Sequence, residues 1–512
     1  MPGAARRVMM STALATLAAC GGGGGGGVPL PLAIPAATMG DPIVASSTVA
    51  GQCATPRNGV DPDTGAAFPD REGSAETEKA WLRGWIDETY LWFDEVPTNL
   101  VAAKYATPID YFSVLKTPAL TASGRPKDRF HFTADTASYR ALSQSGVDVG
   151  YGFELAFLSA SPPRDVRVAF SEPGSPAAQQ GIVRGTKLIA IDGIDVVAGS
   201  DVNGLNAALN PASVGESHSF TLRAPDGSER AVSLVAASIT RTPVQDVKTI
   251  ATASGPVGYM LFNDHLATAE RQLIAAINQL KGDGISDLVI DMRYNGGGYL
   301  DVASELAYMV ASPPATNGTV FERMQFNGKN PFHVTPAQAT LPFYSTSRGY
   351  STPAGQALPQ LGLSRVTVLT GPDTCSASES VVNSLRGVGV TVNLVGGATC
   401  GKPYGFFPQD NCGTTYFAIQ FQGVNQQGFG DYGDGFAPTC AVADDFDHAL
   451  GDPTEGRLAA ALALQSTGAC PTASASKADV ARSKAEVAGM PYLVRSPVRE
   501  IRLVAPPAGS PG

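Results

Sequence analysis

Val366-Thr367-Val368-Leu369-Thr370-Gly371-Pro372-Asp373-Thr374-Cys375-Ser376-Ala377-Ser378-Glu379-Ser380-Val381-Val382-Asn383-Ser384-Leu385 reads as strand, turn and helix in immediate succession. The apolar, β-branched run Val366–Leu369 favours a strand, and Gly371-Pro372 stops it. The run from Ser378 permits a helix, which places Ser376 at a helix N-terminus. There the positive end of the helix dipole favours a developing alkoxide or oxyanion. Ser376 and Glu379 also have the S-x-x-E spacing of a capping box, a structural role that coexists with chemistry.

Lys402 follows in Gly401-Lys402-Pro403. A serine hydroxyl is a poor nucleophile unless a neighbouring base takes its proton. Lysine serves as that base when an apolar pocket disfavours its ammonium form. The pair therefore predicts Ser376 as nucleophile and Lys402 as general base.

Upstream lies Leu288-Val289-Ile290-Asp291-Met292-Arg293-Tyr294-Asn295-Gly296-Gly297-Gly298. Glycines let a backbone N–H approach a tetrahedral oxyanion closely. This segment resembles the D-x-R-x-N-x-G-G element of the C-terminal processing (tail-specific) peptidases. In that family the nucleophile is the first serine of S-A-S-E and the base is the lysine of a later G-K pair, here Ser376 and Lys402. The resemblance runs from about Glu76 to about Gln465. It implies a serine-type peptidase whose oxyanion donors are Ala377 N–H and either Gly297 or Gly298, on an α/β core with ClpP/crotonase-like layers.

Two features depart from the family. Many members carry a polar residue, often glutamine, one helical turn after the lysine, whereas position 406 is Phe in Tyr404-Gly405-Phe406-Phe407. No carboxylate other than Glu379 stands in the early nucleophile helix, so the residue that orients the base is unassigned. A Ser/His arrangement using His265, of Asn263-Asp264-His265, is a minor alternative to a structural histidine. Cys375, beside the nucleophile, fits the motif less well than Ser376.

Val149-Gly150-Tyr151-Gly152-Phe153-Glu154-Leu155 alternates small and apolar residues like a strand entered through a tight turn. With Gly181-Ile182-Val183-Arg184-Gly185-Thr186-Lys187-Leu188-Ile189-Ala190-Ile191-Asp192-Gly193, it resembles a PDZ domain. The resemblance implies a peptide added as a strand at the sheet edge, its terminal carboxylate held by Gly150, Tyr151, Gly152 and Phe153. Substrates would be polypeptides with free apolar C-termini.

At 512 residues the chain is too long for one core. A net charge of −10 argues against nucleic acid, which wants a basic face. No metal motif and no phosphate-cradling Gly-Lys-Ser/Thr loop is found, so neither metal nor cofactor is expected.

Arg6-Arg7 precede a short apolar run ending in Leu17-Ala18-Ala19-Cys20, which resembles a bacterial lipobox with Cys20 as the lipidated residue. The run is too short to span a bilayer. The expected location is the bacterial cell envelope, anchored to the membrane by lipid only, in the outer membrane facing the periplasm. Six cysteines remain, and an exported chain permits disulfides. Cys400 with Cys412 and Cys440 with Cys470 are expected because each pair brackets a short loop or helical return.

The expected organisation is multidomain α/β: signal peptide 1–20, Gly/Pro/Ala-rich tether 21–75, helical N-terminal region 76–146, PDZ-like β-rich domain 147–240, peptidase core 241–465 and tail 466–512. The N-terminal helix is expected over Glu76–Asp94, with Trp81, Trp85, Ile86, Tyr90, Leu91 and Phe93 at roughly helical spacing. In the core, strands are expected at Val257–Phe262, Asp287–Met292 and Val366–Leu369. Helices are expected at Ala267–Leu280, Leu300–Ala311 and Ser378–Arg386, an alternation that implies an α/β layer. Together these readings predict an exported, lipid-anchored serine endopeptidase. The alternative is a catalytically weak peptide- or ligand-binding scaffold lipoprotein on the same fold.

Overall fold

The computed structural model describes residues 40–62 and 64–471, and the backbone of Arg502–Leu503. Cys20 and the rest of the expected signal segment lie outside the described residues, as do 472–501 and 504–512.

The core sheet has six strands: β1 (Val244–Thr252), β2 (Gly255–Phe262), β3 (Asp287–Asp291), β4 (Arg365–Thr370), β5 (Thr391–Gly396) and β6 (Cys440–Ala441). They lie side by side in chain order. β1 is antiparallel to β2, and every other pair is parallel. Four helices cover the sheet: α1 (Ala269–Gly282), α2 (Leu300–Val310), α3 (Ala377–Gly387) and α4 (Gly456–Thr467). Successive strand residues point to opposite faces, and both faces here are apolar. Met260, Phe262, Leu288, Ile290, Val366, Val368 and Leu394 pack with α1, α2 and α3. Tyr259, Leu261, Val289, Leu369 and Val395 pack with Leu458, Ala461 and Leu464 of α4. Full burial of each Val, Leu or Ile contributes about 1.5–3 kcal/mol, so a sheet covered on both faces is strongly held.

The three strands and three helices expected from the core sequence are all present, with ends shifted by one or two residues. Two smaller sheets had no clear sequence signal. One joins Val320–Phe326 to Thr340–Pro342 and Phe421–Val424, with Tyr404–Gly405 at its end. The other pairs Phe132–Asp135 with Thr414–Phe417.

Residues 153–235 form a second antiparallel sheet with its own apolar cluster, which includes Leu155, Val168, Ile191, Leu205 and Phe220. Phe153–Ser159 is its edge strand. Ahead of the core, the helix Ala75–Thr89 opens with a capping box between Ser74 and Thr77. It stops short of the expected Asp94 because Leu91 N–H donates to Ile419 O at 2.8 Å, drawing the chain onto the core. Trp81, Trp85, Ile86 and Tyr90 are buried there with Cys375, Tyr404 and Tyr416.

The tether reading over 21–75 needs correction from Gly40 onward. Ser46 donates to Glu88 through both N–H and hydroxyl, and Gln52–Cys53 pairs with Arg71–Glu72. Cys53 is disulfide-bonded to Cys412. Of the expected disulfides, Cys440–Cys470 forms, but Cys400 joins Cys375 instead of Cys412. The loop argument holds for Cys440–Cys470 and fails for Cys400, whose partner Cys375 is its neighbour in space across the nucleophile turn.

Beneath the sheet's C-terminal edge, Arg293 is fully enclosed by acids. Its guanidinium reaches Asp291 at 2.9 Å, Asp444 at 2.8 Å, and Glu455 through two bonds of 2.7 and 2.9 Å. Arg184, from the second sheet's unit, donates to the same Asp444 at 2.7 Å and to Tyr294 Oη at 2.8 Å. Breaking a buried ion pair leaves an uncompensated charge. Glu455→Gln is therefore expected to lower stability by about 3–5 kcal/mol in urea unfolding. A loss below about 1 kcal/mol, the range of exposed pairs, would contradict this role.

Candidate active site

Both chemistry-bearing turns leave the C-terminal ends of adjacent parallel strands, where open α/β sheets place their ligands. β3 runs into Met292–Gly298, and β4 runs into Gly371–Ser376. Several bonds join the two turns. Thr374 Oγ1 donates to Met292 O at 2.8 Å, Cys375 N–H to Asn295 O at 3.0 Å, and Ser378 Oγ to Asn295 O at 3.1 Å.

Ser376 sits immediately before α3 with φ 60° and ψ −116°. A left-handed backbone at a residue with a side chain costs about 1–3 kcal/mol and persists only where its surroundings impose it. Its Oγ is buried and has no hydrogen-bond partner, so it is not bonded to Lys402 in this geometry. Glu379 accepts the Ser376 N–H at 3.0 Å, as the capping-box spacing predicts.

Glu379 does more than cap. Its carboxylate also accepts Lys402 N–H at 2.8 Å, Gly401 N–H at 2.8 Å and Thr399 Oγ1–H at 2.6 Å. One fully buried carboxylate therefore fixes the backbone of both the nucleophile and the base. Burial pushes its pKa up, and the converging donors pull against that shift.

Lys402 is fully buried, with Nζ 4.9 Å from the Phe130 ring centroid and 4.5 Å from that of Phe406. Phe406, the departure noted in the sequence, thus bears directly on the amine. An aromatic face takes the place where the family more often has a polar side chain. Phe130 and Arg129 were missed as site residues. Arg129 donates to Gly401 O at 3.2 Å and Cys400 O at 2.5 Å, holding the lysine segment from the far side. The only signal for them was the aromatic-basic run Asp128–Phe132.

The two glycines left open by the sequence both stand in the turn after β3. A Cβ on Gly297 would lie 2.8 Å from Ser376 Cβ and 3.0 Å from Ala377 N, so only glycine fits this approach. Its own N–H, however, donates to Asn295 Oδ1 at 3.0 Å. Gly298 is likewise engaged, paired as a strand with Arg502 and bridged to His265, so the structure does not choose between the two glycines as oxyanion donor. Ala377, the first residue of α3, has no intrahelical acceptor for its N–H.

His265 is fully buried, its Nδ1 3.0 Å from Asn295 Oδ1 and its backbone N–H bonded to Gly297 O. It supports the glycine turn and makes no bond to Ser376. Burial lowers its pKa to about 3, so it is neutral at pH 7. In the second sheet's unit, the Tyr151 ring is buried and its hydroxyl donates to Ala208 O at 3.0 Å. Of Gly150, Tyr151, Gly152 and Phe153, Tyr151 therefore offers a ligand only its backbone.

A serine of positive φ at a helix start, a buried lysine tied to it through one carboxylate, and a glycine turn against the serine meet at the C-terminal ends of β3 and β4 on this α/β fold. Residues 256–410 match the model of Peptidase family S41. The chain is 30% identical over 274 residues to a carboxyl-terminal-processing protease of Picosynechococcus sp., covering 52% of this chain and 57% of that protein. It is 27% identical over 245 residues to the chloroplastic carboxyl-terminal-processing peptidase 2 of Arabidopsis thaliana, covering 45% and 46%. It thus spans about half the length of these curated relatives. Among solved structures, one titled as an S41 protease of Bacteroides fragilis shares the fold at a TM-score of 0.58 and 21% identity, covering 76% of this chain and 97% of that one. Residues 256–410 of this chain are thus similar to peptidase family S41.

Two measurements probe the site. Glu379→Gln replaces an acceptor-only group with one that also donates, opposing the N–H groups around it. A displacement of about 1 Å can cost about 10²-fold in rate, so kcat should fall by that order with KM little changed. An unaltered kcat would contradict the role given to Glu379. His265 has a folded pKa below its unfolded value, so the unfolded state takes the proton first on acidification. Its contribution is fully present above pH 6.5 and is lost as pH falls toward about 3. His265→Gln should flatten the acid limb of the stability curve by up to about 5 kcal/mol relative to wild type. Parallel curves for the two proteins would refute the buried neutral imidazole.

Proposed function

We propose that this chain is an exported serine endopeptidase that cleaves polypeptides through Ser376 and Lys402. The observation that carries the reading is the Glu379 carboxylate, which receives the backbone N–H of both residues while the Ser376 hydroxyl stays uncommitted. Burial of the Lys402 amine supports its use as a neutral base.

The reaction requires Ser376 Oγ to meet the amine of Lys402. Lys402 takes the proton, the oxygen attacks the peptide carbonyl, and the oxyanion is met by the N–H groups of Ala377 and of Gly297 or Gly298. The ammonium then protonates the leaving amine, and water releases the acyl group from Ser376.

Selection of chain ends is part of the same proposal. The unit of residues 147–240 acts as a PDZ-like reader, with Phe153–Ser159 as the edge strand that a peptide extends and residues 150–153 as the carboxylate loop. The names of the curated relatives, carboxyl-terminal-processing proteases, support this choice. The lipobox-like sequence ending at Cys20 supports lipid anchoring in the cell envelope, on the periplasmic side of the outer membrane.

Wild type should cleave an unstructured polypeptide with an apolar C-terminus, and Ser376→Ala and Lys402→Ala should each lose about 10³-fold or more in kcat/KM. The wild-type rate should rise with pH as the amine of Lys402 loses its proton. Undiminished cleavage by either variant would refute the assignment.

A further inference from the structure

We propose that the Cys375–Cys400 disulfide is a positioning cross-link for the nucleophile and the base, and that the site works in its oxidised form. This inference rests on the assignment of Ser376 and Lys402 above. Cys375 is bonded directly to Ser376 in the chain, and Cys400 stands two residues before Lys402. The disulfide therefore joins the two segments that Glu379 joins by hydrogen bonds. A third tie runs between the same segments, from Cys400 N–H to Thr374 O at 3.0 Å.

The need for such a staple lies in the Ser376 backbone. Its φ of 60° is disfavoured for a residue with a Cβ and must be imposed from outside. Behind it, Cys375 is 1% exposed and enclosed with Trp81, Trp85 and Tyr416. Cys400 is half-buried and the more exposed of the two cysteines, so its sulfur is the one offered to a reductant. The other two disulfides, Cys53–Cys412 and Cys440–Cys470, do not join these segments.

Reduction by a dithiol balances simply. One thiolate attacks Sγ of Cys400, Cys375 leaves as thiolate and is protonated, and the second thiol of the reductant displaces Cys400 to close its own disulfide. The products are two protein thiols and one oxidised reductant. The Glu379 carboxylate then faces two free thiols, whose sulfurs lie within 4.8 Å of its oxygen in the oxidised protein. Assays of the reduced form therefore include a chelator, so that metal captured by these thiols is not mistaken for misalignment.

The test treats the full chain with dithiothreitol, counts thiols at each cysteine by mass spectrometry, and follows polypeptide cleavage together with labelling of Ser376 by a fluorophosphonate. Reduction of Cys375–Cys400 should lower kcat and the labelling rate by about 10²-fold, with KM little changed and the alkaline rise of the pH profile displaced. Reoxidation with oxidised glutathione should restore both. The double variant Cys375→Ala/Cys400→Ala should be slow and indifferent to reductant, whereas Cys440→Ala/Cys470→Ala should respond like wild type. Unchanged kcat and labelling once the Cys375 and Cys400 thiols are counted, or a response that follows Cys440–Cys470, would overturn the proposal. Redox-sensitive labelling without any cleavage would support the cross-link and refute the peptidase reading, so the two fail separately.

Discussion

The site depends on one buried carboxylate. Glu379 stands a turn into α3 and gathers the backbone N–H of Ser376, Gly401 and Lys402 and the hydroxyl of Thr399. An enclosed carboxylate is costly unless its lone pairs are filled, and here the filling is done by the segments that carry nucleophile and base. Their placement is the condition for burying Glu379 at all, so stability and site geometry are one constraint.

Around that point the polar interior is continuous. The guanidinium of Arg293 settles the chain leaving β3, and Asn295 continues from it. The Asn295 side chain holds Gly297 N–H, His265 Nδ1 and Phe262 O, while its carbonyl accepts from the nucleophile turn. Arg184 extends the network to the second sheet's unit through Tyr294 and Asp444. A shift of that unit would be felt within a few bonds of the glycine turn, because packed interiors transmit displacement.

Much of the core was legible because its signals are local. Apolar runs marked β3 and β4, the second stopped by Gly371-Pro372, and the helix-permissive run behind Ser376 marked α3 to within a residue at each end. The S-x-x-E spacing exposed the link between Glu379 and Ser376, but the donors from Gly401 and Lys402 come from more than 20 residues away and leave no local trace. Phe130 and Arg129 were illegible for the same reason, since Phe130 reaches Lys402 and Arg129 reaches the neighbouring Gly401 only through the tertiary fold. Cys375–Cys400 escaped a pairing argument based on loop length because its partners are close across the nucleophile turn. Phe406 was read as a missing polar group, whereas its ring lies against the amine.

The most direct test of the account is to trap the covalent intermediate. Rapid acid quenching of the chain with an activated peptide ester, followed by digestion and mass spectrometry, reports which residue carries the acyl group. The account predicts acylation at Ser376 and its disappearance in Lys402→Met. Acyl transfer to another residue, or undiminished acylation of Ser376 in the variant lacking the amine, would contradict it.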